Sequence, residues 1–269
     1  MTQTPSFPLL EHPAFCGVSD ASVSRLEREC NVFRFDLGGQ LSDPNEIPAR
    51  ILVILQGQAR LVGRHNGRLT TVRKFGPGSV IGAASLLAGS PCENVIAAEE
   101  VIACGISDEL WRELYATEAS FRHWCDQQLW PQELLKLLEA LEQNTPEVDS
   151  SALEKLEDAL HTAERCSPDP AAVDAALAAG KLLFVTSAWG ELTFGQPIRS
   201  SVDLPVCEPF SLRLVALPAS GVADNAQETM DDCSGSRVSA SSIQDAEVLP
   251  PVSSFSPERN VVDSLRLIR

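Results

Sequence analysis

The sequence predicts an α+β protein: an antiparallel β-roll with flanking helices, then a small α+β module and an acidic tail. Three observations predict it. Between residues 31 and 107, short β-branched runs are punctuated by turn residues every eight to twelve positions, the rhythm of a barrel or jelly roll. After Ser107-Asp108 the apolar spacing changes to steps of three and four, carried by Leu110, Leu114, Phe121, Trp124, Leu129, Leu134, Leu138 and Leu141, which is helical. Residues 219–258 are rich in Ser, Ala, Asp and Pro and poor in large apolar groups. Such a composition cannot bury enough surface to offset chain entropy.

In chain order, residues 1–18 are interrupted by proline and read as a loose N-terminal arm. The roll with its C-terminal helices spans 19–145. Ser19-Asp20 opens a helix whose Val23, Leu26 and Cys30 share a face. "NVFRFDL" and "ARILVILQGQARLVG" read as strands, with Gly57 a bulge or tight turn in the second. Asn66-Gly67 is a hairpin signal, because both residues tolerate the positive φ of a two-residue turn. "GPGSVIG" gives a turn and a strand, "AASLLAG" one or two helical turns, and "NVIAAEEVIACGIS" two further strands. Pro131 suits the first turn of a new helix. The small module covers 150–218, with "SSALEKLEDALHTAERC" and "DPAAVDAALAAG" as helices, the second stopped by Gly180. "KLLFVTSAW", "ELTFGQPI" and "FSLRLVALP" follow as strands. Residues 219–269 read as a largely disordered linker and tail.

Charge and missing motifs narrow the function. The net charge is −16; residues 131–269 carry −12 of it. That balance disfavours nucleic acid, whose phosphates need clustered Lys and Arg, and an anionic membrane surface. No run of about 18 apolar residues encodes a membrane span, and the N-terminus lacks the charged and apolar regions of a secretory signal. The eight cysteines show no C-x-x-C, and the expected state is reduced and cytoplasmic. The four histidines stand apart, so no metal site is expected. Ser187 lacks a surrounding G-x-S-x-G, no Walker sequence occurs, and no nucleophile, base and orienting group assemble, so no enzyme is expected. His123, Trp124 and Cys125 are adjacent on a helix and point about 100° apart, which suits packing rather than catalysis. Trp111, Trp124 and Trp130 likewise read as packing, since a stacking platform for nucleic acid needs basic residues between them.

One stretch, "FGPGSVIGAASLLAGSPCENVIAAEE" at 75–100, has the form of a phosphate cradle: a glycine turn, an apolar pair and a short helix. Yet no Lys, Arg or His lies between Gly76 and Val101. With Gly57 after "ILVIL", the Asn66-Gly67 hairpin, "SLLAGSP" and "NVIAAEEVIACGI" leading into "SDELWREL", about 100 residues from roughly 30 to 130 resemble the cyclic nucleotide-binding domain family. The resemblance implies a helix, an eight-stranded roll and a long helix. It also implies a cassette in which a Gly-Glu pair meets the ribose and an Arg followed by Ser or Thr grips the cyclic phosphate. Gly82 matches the glycine, but Ala83 stands in place of the Glu. The Arg step falls near Pro91-Cys92, with Glu93 and Asn94 beside it.

A hydrogen bond to a charged group contributes about 1.5–3 kcal/mol, and Arg adds a bidentate fit to phosphate. Losing both contacts weakens binding by about 3–6 kcal/mol, a hundred-fold to beyond ten-thousand-fold. Glu93 is expected to add repulsion. The start of "AASLL" keeps the amides of a helix N-terminus. The expected pocket is therefore degenerate, lined by Gly82, Ala83, Ala84, Ser85, Cys92 and Asn94, with no cofactor. Val80, Ile81, Leu86, Leu87 and Val95 persist there as roll core.

The expected function is a non-catalytic regulatory or interaction module that has lost cyclic nucleotide binding. The alternative is a working sensor of cAMP, cGMP or another small anion, using backbone amides and Asn94. A transcription factor is disfavoured because residues 131–218 carry no basic recognition helix. The arrangement through residue 218, with a linker after it, is also similar to the N-terminal regulatory region of cyanobacterial ABC exporters that process double-glycine leader peptides. That resemblance implies a protein partner, namely a membrane exporter, with the chain at the inner membrane through it as a truncated or split piece. The helix after the roll is the family's usual dimer seam, which makes it the place to look for a homodimer.

Overall fold

The computed structural model describes residues 8–65, 68–144, 152–188, 192–204 and 212–219. The roll is two four-stranded antiparallel sheets. One is ordered β1 (Asn31–Phe35), β8 (Val101–Ser107), β3 (Arg50–Gln56), β6 (Val80–Ile81). The other runs β2 (Gln40–Ser42), β7 (Val95–Ala97), β4 (Ala59–His65), β5 (Arg68–Phe75). The continuous apolar run of β3 has a physical reason: both its faces are covered. Ile51, Val53 and Leu55 enter a core shared with the helices, whereas Leu52 and Ile54 enter the core that reaches the second sheet. β4 and β5 pair from Ala59↔Phe75 to His65↔Arg68, and the expected Asn66-Gly67 turn lies outside the described residues.

Ser19 caps α1 (Asp20–Glu29) by accepting from the Ser22 amide. After the roll, Ser107 caps α3 (Asp108–Thr117) in the same way. α4 (Ala119–Gln127) and α5 (Pro131–Asn144) follow, so the expected long helix is broken in three. Trp111 and Phe121 pack edge to face at 4.8 Å, as do Trp124 and Trp130 at 5.7 Å. These are core contacts, as their helical spacing suggested.

The N-terminal segment departs from expectation. Residues Leu9–Glu11 and Pro13–Phe15 form two short 3-10 turns rather than a loose arm, and Leu9, His12 and Phe15 are buried. The His12 imidazole ties the segment down. Its Nδ1 accepts from the Ala14 amide at 3.1 Å, so Nε2 carries the hydrogen that meets the Gly78 carbonyl at 3.0 Å. Proline breaks argued for looseness, but apolar Leu9 and Phe15 between them outweigh that signal.

The second module contains α6 (Ala152–Thr162), β9 (Glu164–Cys166), α7 (Pro170–Ala178), β10 (Lys181–Val185), β11 (Pro197–Ile198) and β12 (Leu214–Pro218). Its antiparallel sheet is ordered β11-β10-β12-β9. "ERC", read as the end of a helix, is instead the edge strand β9. One face of this sheet joins the roll's core, where Phe184, Val215 and Leu217 share a cluster with Leu134, Leu138 and the inter-sheet residues, whereas Leu183, Val185, Ile198 and Leu214 pack with Val173 in a cluster of the module's own. α5 stands between the two sheets' core and the module. The tail at 219–269, read as disordered linker, lies outside the described residues apart from residue 219. No helix among the described residues is long and apolar enough to cross a membrane.

Gly57 turns β3 into β4 at φ +85°, and a Cβ there would collide with the Glu100 carbonyl. Gly57→Ala is therefore expected to cost at least about 2 kcal/mol of stability in urea unfolding. An unchanged midpoint would contradict this close approach.

Candidate functional site

The cradle consists of a strand end, a six-residue helix and the loop that returns from it. β6 leads into Gly82, which caps α2 (Ala83–Ala88) at φ +96°. A Cβ at Gly82 would press on the Pro48 ring and the Arg50 carbonyl at 3.0 and 3.1 Å. A helix N-terminus presents amide hydrogens without intrahelical partners. Here a carboxylate of the same loop meets them. Glu93 Oε2 accepts from the Gly82 amide at 2.8 Å, and Oε1 accepts from the Ser85 amide at 3.0 Å. Gln132, in the first turn of α5, donates from Nε2 to the same Glu93 Oε2 at 3.3 Å. Glu93 is 0% exposed.

The loop is fastened from both sides. Ser85 Oγ accepts from the Cys92 amide at 3.0 Å. Lys136 Nζ donates to Ser90 Oγ at 2.5 Å and to the Pro91 carbonyl at 2.7 Å, and lies 4.6 Å from the Phe194 ring centroid. At the far end of α2, the Ala88 carbonyl accepts from the Ala188 amide of the second module at 2.7 Å. Every residue of α2 is buried. The cradle is thus filled from within and covered by α5 and the module.

Electrostatics follow from that enclosure. Burial pushes the Glu93 carboxyl above the usual range, against the pull of the Gly82 and Ser85 amides and of Gln132. Burial, helped by Glu93, also pushes the Cys92 thiol well up, which keeps it from becoming a nucleophilic thiolate. Burial pulls Lys136 down, with Cys92 and Glu139 acting in the opposite sense.

One residue along α5, Glu133 turns to the second module. It accepts from Arg213 Nε at 3.1 Å and Nη2 at 2.9 Å, from Arg165 Nη1 at 3.2 Å, and from the Thr186 hydroxyl. Arg213 Nη2 also donates to the Gln128 carbonyl at 3.0 Å. Burial alone would raise the Glu133 carboxyl, but Arg213 and then Arg165 outweigh it and hold it below the usual range. Arg165 is pushed down to about 10 by burial and by the Arg213 charge. Burial opposes the Arg213 cation as well, yet Glu133 more than offsets this and raises it.

Of the residues read as pocket positions, Gly82 and Ser85 supply amides to the cradle, and Cys92 packs on Ser85, with 3.5 Å between Sγ and Oγ. Ala83 and Ala84 are buried wall. Asn94 is half-buried, and its carbonyl accepts from the Val62 amide at 2.8 Å, which assigns its backbone to sheet pairing. Sequence reasoning took Glu93 as a repulsive neighbour and passed over Gln132, Lys136, Glu133 and Arg213. A signal for Glu93 was present: an acid closing a cassette that lacks any cation. Among the described residues, no group of three His, Cys, Asp or Glu is placed to hold a metal.

The family model of the cyclic nucleotide-binding domain matches residues 34–118. No curated protein matches the chain. Among solved structures, the chain is similar to the regulatory subunit of a cAMP-independent protein kinase A from Trypanosoma cruzi bound to guanosine. Identity there is 19%, the TM-score is 0.36, and the match covers 43% of this chain and 45% of that one. A putative cyclic nucleotide-binding protein from Geobacter metallireducens GS-15 matches at 18% identity and TM-score 0.36, over 42% of this chain and 82% of that one. The sensor domain of the transcriptional regulator DNR from Pseudomonas aeruginosa matches at 14% identity and TM-score 0.40, over 53% and 91%. The chain thus spans less than half of the first of these.

Glu133→Gln leaves Arg213 and Arg165 buried without their anion and is expected to destabilise the protein by about 3–5 kcal/mol. Because the folded-state pKa of Glu133 is depressed, its contribution is present above the unfolded carboxylate value of about 4.3 and is lost as pH falls below it. Unfolding midpoints of wild type and variant should therefore converge in acid. A gap independent of pH would show that the ion pair is not its source.

Proposed function

We propose that the chain is a non-catalytic regulatory or interaction module built on a cyclic nucleotide-binding-like roll that no longer takes a cyclic nucleotide. The observation that carries this reading is the Glu93 carboxylate on both the Gly82 and the Ser85 amide. A cyclic phosphate at this cassette would need those donors, and would have to displace a carboxylate that is already desolvated and hydrogen-bonded. The residues whose side chains would compensate, a Glu at 83 and an Arg near 91, are Ala83 and Pro91. Gln132 and Lys136 of α5 reach Glu93 and the cradle loop, and Phe194 of the second module lies against Lys136.

A module closed in this way signals through surfaces rather than through a ligand. On the resemblance in sequence alone, the partner we propose is a membrane peptide exporter, with the chain peripheral to the inner membrane through it. The test is the reading frame beside the gene: a peptidase-transporter frame supports the pairing, and an unrelated frame removes it. The apolar residues Leu134, Leu135, Leu137 and Leu138 of α5 are already buried within the chain, so a homodimer would need another surface. One observation favours the alternative, a sensor of cAMP, cGMP or a small anion. Burial raises the Glu93 pKa, which weakens its hold as an anion and makes it easier to displace.

Calorimetric titration separates the two. Cyclic AMP and cyclic GMP should give no heat of binding at micromolar concentrations, and a micromolar isotherm would establish the sensor. Glu93→Ala should lose about 1–3 kcal/mol through the unmet amides and regain part of it in acetate or inorganic phosphate. Wild type should gain nothing from either anion. Equal gains in both proteins would show that the cradle is not what the anions fill.

A further inference from the structure

The chain's acidity hides a local reversal of sign. From residue 47 to residue 92 there is no Asp or Glu, but there are five Arg and one Lys; all 37 acidic groups lie elsewhere. Arg50 is engaged over the Phe33 ring at 5.3 Å. The others belong to the β4–β5 hairpin, where Arg60, Arg68, Arg73 and Lys74 are exposed. None of these four has a carboxylate within ion-pair distance among the described residues, although Arg25, Arg34, Arg112 and Lys181 each do. Arg60 stands directly opposite Lys74 across the two strands, on one face of the sheet. Like charges in that position are unfavourable.

Among the described residues β5 is also the free edge of its sheet, which ends in the order β7-β4-β5. Along its eight residues one row of backbone donors and acceptors has no strand partner among the described residues, and Leu69 stands on it 62% exposed. Proteins commonly guard an edge with charge. A guard needs one lysine, however, and does not require two cations to face each other without a counter-ion.

We propose that this edge is a docking surface for an acidic, extended peptide segment of a partner protein, added as a strand beside β5. Main-chain pairing gives such a segment its purchase, and carboxylates alternating along one of its faces meet the face that carries Arg60 and Lys74, with Arg73 and Arg68 on the opposite face. A nucleic acid or a lipid surface would satisfy the cations but cannot pair with the strand's amides. This surface is independent of whether the cradle at Glu93 is open or closed.

The test uses the full chain and a fluorescein-labelled eight-residue peptide alternating Glu with Val or Thr. Fluorescence anisotropy should rise on binding and fall back with added salt, and amide hydrogen exchange should slow across residues 68–75. Arg60→Glu with Lys74→Glu, both at exposed positions, should melt like wild type and lose about tenfold or more in affinity. The same variant should gain affinity for a peptide alternating Lys with Val or Thr. No anisotropy change up to millimolar peptide, binding that the charge reversal leaves unchanged, or exchange slowing elsewhere than β5 would each overturn the proposal. So would tighter binding of an oligonucleotide or an anionic vesicle than of the acidic peptide.

Discussion

A carboxylate removed from water must be met by donors, and this molecule meets two of them on either side of one helical turn. Gln132 turns to Glu93 and the cradle; Glu133 turns to Arg213, Arg165 and the second module. The first turn of α5 therefore holds the cassette loop and the module in one arrangement. Desolvation of an ion costs several kcal/mol unless its partners are well placed. Neither side can move far without exposing that cost. The two carboxyls shift in opposite directions: two guanidiniums hold Glu133 charged, whereas Glu93, hydrogen-bonded by the Gly82 and Ser85 amides and Gln132, is pushed by burial towards its neutral form.

The packing of the roll and the donors of its cradle rest on different atoms. Val80, Ile81, Leu86, Leu87 and Val95 are buried in the clusters that join the sheets and helices. Truncating residues of this kind costs about 2–5 kcal/mol each. The amides of Gly82 and Ser85 remain where the backbone puts them. Within the chain, the Glu93 carboxylate meets both of them.

Much of the architecture was legible in the sequence, for physical reasons that also mark where legibility stops. β3, β4, β8 and α3 are long enough for their period to show, and Ser19, Ser107 and Pro131 announce helix starts through cap chemistry. β2 and β9 have three residues each, and β11 has two, too few to display alternation. They exist because neighbouring strands pair with them. The turns at Leu9–Glu11 and Pro13–Phe15 were obscured by prolines, although their apolar residues are what bury them. At the site, the glycine and the helix could be read locally. The Glu133–Arg213 pair could not, since 80 residues separate its partners and only the packing of the module against α5 brings them together.

Closure of the cradle by Glu93 is the central claim, and the amide resonances of Gly82 and Ser85 report on it most directly. Both should move together in a single step as pH crosses the elevated Glu93 titration, and both should stay still when millimolar cyclic AMP is added at neutral pH. Amides indifferent to pH but shifted by the nucleotide would mean that the cradle answers an external phosphate and that Glu93 does not fill it.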